Sequence, residues 1–306
     1  MRIFVTGATG VIGRRAVPLL VGAGHRVTAV GRTPEKRAAL ERAGATAVEL
    51  DLFDGAAARR ALAGHEVVIN LATHMPPSTF HMMLPGAWRE NDRVRRVASN
   101  VLVDAAIAAG VRRFIQESFG LIYPDSGDRW IDETTPVKPA RYNRTTVDAE
   151  HAAARFTSGD RAGVVLRFAG FYGPDSTVQK DVIDMVRKGW SPLPGRPEAY
   201  YSSISHDDAA TAVVAALDVP AGIYGVVDDE PLPRREWVDS LAAALGAPPP
   251  RFLPAWTARL MGSIGELMSR SERISNRKLR EASGWAPRFR SVKEGWTEVE
   301  MVGVGG

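Results

Sequence analysis

Three glycines at intervals of three, Gly7, Gly10 and Gly13, stand in Thr6-Gly7-Ala8-Thr9-Gly10-Val11-Ile12-Gly13, directly after a short β-branched run. In a strand–turn–helix unit the first glycine permits the tight turn. The second lets a phosphate approach the backbone, and the third lets helix and strand pack closely. The helix opened by this turn offers free N–H groups and a positive dipole end to a pyrophosphate. Gly7, Thr9, Gly10, Val11, Ile12 and Gly13 are therefore expected to hold a nicotinamide dinucleotide.

The residues just past the second strand select between two forms of that ligand. A carboxylate there bonds the ribose hydroxyls of NAD, whereas an arginine accommodates the 2′-phosphate of NADP. The chain reads Val30-Gly31-Arg32-Thr33, with no carboxylate. Arg32 points to NADP in preference to NAD; its other reading is a surface arginine beside a helix cap. Arg14 is a second, weaker candidate. Asp51-Leu52 comes after the third strand, and Asn70-Leu71-Ala72-Thr73 ends the fourth. Both lie at the carboxyl edge, where an open α/β sheet binds its ligand. Asp51 can contact adenine or cap the next helix, and a small residue at Ala72 lets the dinucleotide pass.

The elements around these positions alternate. Strands are expected at Ile3–Thr6, Arg26–Val30, Ala47–Leu50, Val67–Leu71, Phe114–Glu117 and Gly163–Phe168. Helices are expected at Val11–Gly22, Pro34–Ala43, Ala56–Ala63, Val94–Ala109 and Tyr142–Phe156. Thr33-Pro34 places a cap residue before a proline at the first helical position, and Gly24, Gly44 and Gly110 stand where helices should stop. The strands are nearly continuously apolar, as a parallel sheet covered on both faces requires. The expected fold is an α/β Rossmann sheet, doubly wound, with a smaller C-terminal α/β region. Residues 1–170, with about 200–226, form the dinucleotide domain. Residues 171–199 and 227–306 form the substrate side.

Apolar residues make up 45% of the 306, enough for a full-sized core, and there is no cysteine. Disulfides, thiolate metal sites and a cysteine nucleophile are excluded. The opening Met1-Arg2-Ile3-Phe4-Val5-Thr6-Gly7 is too short for a signal segment and reads as a strand. No stretch approaches the ~20 apolar residues of a membrane span. A cytoplasmic protein is expected, without membrane contact. The net charge of +4 is spread along the chain; Arg93/Arg95/Arg96 and the stretch from Arg270 to Arg280 read as solvated helix faces. No aromatic-interleaved basic module points to nucleic acid.

With these motifs in order, the chain resembles the short-chain dehydrogenase/reductase superfamily, and most of all its extended, NAD-dependent epimerase/dehydratase type. The likeness rests on Thr6–Gly13, Asp51-Leu52, Leu71-Ala72, the Asn91 helix entry and Tyr123 after strand five. It also rests on Tyr142 with Glu150, Leu166-Arg167-Phe168 leading to Tyr172-Gly173-Pro174, and His206-Asp207-Asp208-Ala209. The resemblance implies a Tyr-x-x-x-Lys helix in which tyrosine moves a proton to or from the reacting oxygen, with a Ser or Thr nearby. Lysine one turn away lowers the phenol's pKa from about 10 and holds the ribose. Hydride passes between substrate carbon and nicotinamide. It also implies cofactor contacts from Tyr142 and Phe168.

Two positions depart from that pattern. Tyr142 matches the tyrosine, but the lysine position is Thr146, and the usual Ser/Thr position is Phe119, with Ser118 one place earlier. Either another group does the proton work, or the chemistry is altered, or there is none. Ser118 is the candidate substrate-positioning hydroxyl, and Thr146 can bond the ribose without supplying charge. Glu117, His74 and His81 are further proton carriers to consider. The Met- and aromatic-rich loop Thr73–Trp88 and the segment Phe171–Trp190 with Tyr200/Tyr201 read as apolar pocket walls. Lys180, Arg187, Lys188, Arg196 and Arg251 are available to a diphosphate.

Three functions are compatible with these residues: an NAD(P)-dependent oxidoreductase acting on a carbonyl or hydroxyl of a small molecule, a non-catalytic NADP(H)-binding sensor, and a nucleotide-sugar epimerase or dehydratase. Helices 94–109 and 142–156 are the candidate faces of a homodimer. No metal is expected.

Overall fold

In the computed structural model all residues are described except Pro85, Pro174–Ser176 and Val304–Gly306, and Pro174 of the Tyr172-Gly173-Pro174 segment thus lies outside it. The first half runs β1 (Arg2–Thr6), α1 (Gly13–Gly22), β2 (Arg26–Val30), α2 (Pro34–Arg42), β3 (Thr46–Val48), α3 (Gly55–Leu62) and β4 (Val67–Asn70). Then come α4 (Thr79–Met82), α5 (Arg89–Arg93), a π-helical turn (Val94–Ala98), α6 (Ser99–Ala108), β5 (Arg113–Phe119) and β6 (Trp130–Ile131). A 3₁₀ turn (Arg141–Asn143) leads into α7 (Thr145–Phe156), followed by β7 (Ala162–Phe168), β8 (Gly170–Tyr172), α8 (Thr177–Arg187), β9 (Tyr200–Tyr201), β10 (Ser203–Ser205), α9 (His206–Ala215) and β11 (Gly222–Val226). The chain closes with β12 (Leu232–Pro233), α10 (Arg234–Ala244), a 3₁₀ segment (Ala255–Met261), α11 (Gly262–Met268), β13 (Arg273–Ile274), α12 (Arg277–Ser283) and α13 (Val292–Gly303).

Among the described residues, seven parallel strands form the main sheet in the order β11-β7-β5-β4-β1-β2-β3. The strand order reverses direction between β1 and β4, which opens a crevice at their carboxyl ends. The crossover helices fit their sequence signals. Thr33 caps α2 by accepting from the Lys36 amide, with Pro34 at the first helical position. Asp54 caps α3 by accepting from Ala57.

Both sheet faces are covered, which is why the strands carry no polar alternation. Ile3, Val5, Val27, Ile69, Ile115 and Val164 pack with α1 and α9 on one side. Phe4, Val68, Phe114 and Val165 pack with α3, α6 and α7 on the other. A separate core gathers Leu121, Tyr123, Tyr172, Tyr201, Trp237 and Trp296, joining α10 and α13 to the carboxyl end of the sheet. Short two-stranded pairings, β8 with β10, β9 with β12 and β6 with β13, stitch that region together.

The expected α/β doubly wound fold is the one observed. Strand β11 extends the sheet beyond the strands anticipated. The helix expected from Tyr142 begins instead at Thr145, with Tyr142 on the 3₁₀ turn that precedes it. No helix among the described residues is long and apolar enough to cross a membrane.

Candidate active site at the carboxyl edge of the sheet

The glycine turn is locked to the end of β4. Gly7 has φ +65, and a Cβ there would lie 2.3 Å from the Leu71 carbonyl carbon and 2.6 Å from the Ala72 amide nitrogen. Only glycine tolerates both the backbone angle and this approach. A Cβ on Gly13 would lie 2.3 Å from the Gly7 oxygen. Gly10 is different: it is exposed, and a Cβ there would meet only the Gly7 oxygen, at 3.2 Å. Its missing side chain leaves room above the turn. The Val11 and Ile12 amides find no acceptor among the described residues, as expected of N–H groups at a helix start. This cradle fits a pyrophosphate.

A polar ladder ties the strand ends across the crevice. Thr6 donates to Asn70 Oδ1 (2.6 Å), and Asn70 donates to Gln116 Oε1 (2.9 Å). The same Asn70 oxygen accepts from the Ala72 amide. The structure therefore brings Gly7, Leu71 and Ala72 together at one edge, with Thr73 half-buried beyond them. Arg32 is exposed after β2 and has no ion-pair partner among the described residues. Asp51 is exposed too, and accepts from the Phe53 amide (3.0 Å). Asp54, not Asp51, caps the next helix. Leu52 is half-buried beside it.

Tyr142 is partly exposed. Its ring packs against Trp88 with centroids 4.9 Å apart, and its hydroxyl has no hydrogen-bond partner among the described residues. Its apolar surroundings push the phenol above the ordinary tyrosine value, with Arg95 pulling in the opposite direction. Tyr201, Glu272 and Arg270 are the other groups whose charge it feels. Tyr123, by contrast, is 1% exposed and accepts from Arg167 Nη1 at 2.7 Å; burial pushes it up to about 12.

Three of the expected site residues are buried. Ser118 is fully buried and donates to Glu150 (2.6 Å), which also receives both Nε and Nη2 of Arg167. Strand alternation turns Ser118 to the face covered by α7, so it serves that ion pair and not a substrate oxygen. Thr146 is also fully buried, and its hydroxyl accepts from the Arg95 guanidinium. Phe168 is 1% exposed and belongs to the main core, stacked on Phe171.

The basic patches also differ from solvated faces. Arg95 is buried against Glu117 at 3.0 Å, and Arg270 is buried while donating to the Tyr123 and Lys138 carbonyls. A linear reading missed Arg95 because the π-helical turn shifts the helix phase; the signal available was the Arg93/Arg95/Arg96 cluster beside a Glu at a strand end.

The loop after β4 carries its apolar groups outward: Met75, Phe80, Met83 and Leu84 are exposed. Trp88, at its end, is the residue that meets Tyr142. Helix α11, which also packs near the Tyr142 turn, comes after a segment exposing Leu253, Trp256 and Leu260. His74 and His81 are exposed; His81 bonds Ser78. Of the basic candidates, Lys180 pairs with Asp184 and Arg196 with Asp125, while Arg187, Lys188 and Arg251 are exposed. Among the described residues no cluster of His, Asp and Glu could hold a metal ion.

A family model described as NAD(P)H-binding matches residues 7–220. The chain is 35% identical over 306 residues to a 3-diazoavenalumate denitrifying reductase of a Streptomyces species, covering 96% of this chain and 99% of that protein. It is 25% identical over 288 residues to a 2-alkyl-3-oxoalkanoate reductase of Shewanella oneidensis, covering 86% and 71% respectively. The structure of the human epimerase family protein SDR39U1 with NADPH superposes with a TM-score of 0.80 at 20% identity, over 98% of this chain and 99% of that one. Together with the glycine cradle, the family model and the full-length relative assign the chain to the NAD(P)H-binding family, as an NAD(P)-dependent oxidoreductase.

Proposed function

We propose that this protein transfers hydride between NADP(H) and the carbonyl or hydroxyl carbon of a small, largely apolar molecule, with Tyr142 as the proton-transferring group. The observation that carries the reading is the Tyr142 hydroxyl: it is held in place by Trp88, yet engaged with no other described group. The bound dinucleotide would supply the hydride. Gly7, Thr9, Gly10, Val11, Ile12 and Gly13 would hold its pyrophosphate. Leu71, Ala72 and Thr73 would flank it, Asp51 and Leu52 would meet the adenine, and Arg32 would pair with the 2′-phosphate. A phenol raised by its surroundings stays protonated at neutral pH, so Tyr142 is set to donate to a developing alkoxide when a carbonyl is reduced.

Residues 171–199 and 227–306 are assigned to the substrate side, since their core is distinct from those flanking the sheet and abuts its carboxyl end. The exposed apolar residues of the loop after β4 and of the 253–260 segment favour an alkyl or aromatic substrate over a sugar nucleotide. The absence of cysteine fits the cytoplasm. A homodimer through helices 94–109 and 142–156 is part of the same reading, with the exposed Val97 at its seam. Sedimentation at the mass of two chains is expected, and a monomer at micromolar concentration would remove it.

NADPH consumption with a panel of 3-oxoacids and aromatic ketones tests the function. NADPH should be used in preference to NADH, and Arg32→Asp should abolish that preference. Tyr142→Phe should lower turnover by about 100-fold or more while leaving dinucleotide affinity unchanged. Tight NADPH binding with no turnover of any substrate would favour a sensor instead.

A second reading is favoured by the full-length likeness to a denitrifying reductase and by the absent lysine. Hydride transfer to an aromatic diazonium carbon forms a C–H bond and releases N₂, with no proton to deliver to an oxygen. Under that reading Tyr142→Phe keeps full activity on an aromatic diazo compound.

A further inference from the structure

The three arginines of the π-helical turn and its approach part company. The Arg93 guanidinium lies 3.6 Å over the Phe53 ring, and Arg96 reaches the partly exposed Asp148 at 2.9 Å. Arg95 alone turns inward, its side chain 6% exposed. A π-helical turn carries one residue more than an α-helical turn, so it rotates the side chains beyond it relative to those before. Here that offset lets a long cationic side chain point under α7, while Arg93 and Arg96 reach the surface.

The buried guanidinium is held at two ends. Its Nη2 donates to both oxygens of Glu117, at 3.0 and 3.3 Å, and its Nη1 donates to the Thr146 hydroxyl. Its Nε is buried without a partner among the described residues. Thr146 lies four residues after Tyr142, one helical turn along the same segment, and its short side chain brings no charge of its own. The Arg95 charge therefore arrives from a neighbouring helix at the place where a longer side chain at position 146 would have carried one. A lysine at 146 would collide with it, and a threonine accepts its hydrogen bond.

We propose that Arg95, docked on Thr146 and Glu117, is the cation that tunes the Tyr142 phenol, a positioning residue that replaces the charge missing from position 146 of α7. The proposal rests on Tyr142 being the proton-transferring group. Its electrostatic setting agrees: apolar surroundings raise the phenol, and of the charges that oppose this, Arg95 exerts the largest pull, ahead of Arg270, while Tyr201 and Glu272 push upward.

The test reads Tyr142 directly and needs no substrate. The full-length protein is made with difluorotyrosine, which brings phenol titration into a range where the fold survives. The Tyr142 resonance is assigned by its loss in Tyr142→Phe and followed by fluorine NMR against pH. Arg95→Gln should raise the Tyr142 midpoint by about one pH unit or more. Arg95→Lys should leave it close to the wild-type value. The double variant Arg95→Gln/Thr146→Lys should restore it by placing a cation on α7 itself. Glu117→Gln, which removes the opposing charge, should lower it.

A folded Arg95→Gln protein whose Tyr142 midpoint does not move overturns the proposal, because a merely structural arginine would change only the melting temperature. If Arg95→Gln does not fold, a Glu117→Gln midpoint that fails to fall overturns it equally. Turnover is scored separately. A fully active Tyr142→Phe would remove the proton-transfer reading, while a Tyr142 midpoint that still tracks the charge at Arg95 would show that the coupling between the two groups stands.

Discussion

Gly10→Val should keep the wild-type melting temperature and lose NADPH affinity by about 100-fold or more. The two halves of that expectation come from different neighbours. Inside the protein a Cβ at Gly10 meets one atom, the Gly7 oxygen at 3.2 Å, a contact that a shift of a few tenths of an ångström relieves. Outside, the added isopropyl group occupies the space through which phosphate reaches the Val11 and Ile12 amides. Losing two hydrogen bonds to a charged acceptor costs about 3 kcal/mol or more, which is the stated fold-change. Gly7→Ala is the contrasting variant. At φ +65 and 2.3 Å from the Leu71 carbonyl carbon, its methyl must displace the end of β4, so stability and binding fall together. Calorimetric titration with NADPH beside a thermal melt separates the two. Undiminished affinity in Gly10→Val would mean that the dinucleotide does not approach this turn.

The parts of this protein that repeat a local rule were legible in its sequence. Strand and helix alternation through β7, the glycine spacing and the Thr33-Pro34 helix start each depend on residues within one turn or one strand of each other. The site's interior did not read out, because it is set by phase. Ser118 and Glu117 are adjacent on β5, so one must serve Glu150 and the other Arg95; which of them faces a substrate depends on a pleat the sequence leaves open. Arg95 looked like one of three surface arginines until the π-helical turn rotated it inward. Phe168 carries a motif resemblance but lies in the core, since β7 is covered on both faces. The short β11 was also missed: Gly222-Ile223-Tyr224-Gly225-Val226 contains two glycines, and only pairing with β7 makes it a strand.

Glu150→Ala should be the most destabilising single change in the region, by about 3–5 kcal/mol. Arg167 and Glu150 are 4% and 6% exposed and share two hydrogen bonds, at 2.8 and 2.6 Å. Removing the carboxylate leaves a guanidinium sealed beneath α7 with, among the described residues, only the Tyr123 hydroxyl to receive it, and strands the Ser118 hydroxyl as well. For a chain of this size the melting temperature should drop on the order of 10 °C. Asp148→Ala is the control on the same helix: its partner Arg96 is 58% exposed, so water already competes for the pair and the loss should stay under about 1 kcal/mol. A Glu150→Leu/Arg167→Met double variant adds the decisive arm. If the large single-site loss reflects an orphaned buried charge and not the net worth of the ion pair, the double variant should recover most of the stability. Equal losses in Glu150→Ala and Asp148→Ala would show that the Arg167 guanidinium reaches water, and that the packing of α7 on β5 and β7 is looser than the structure describes.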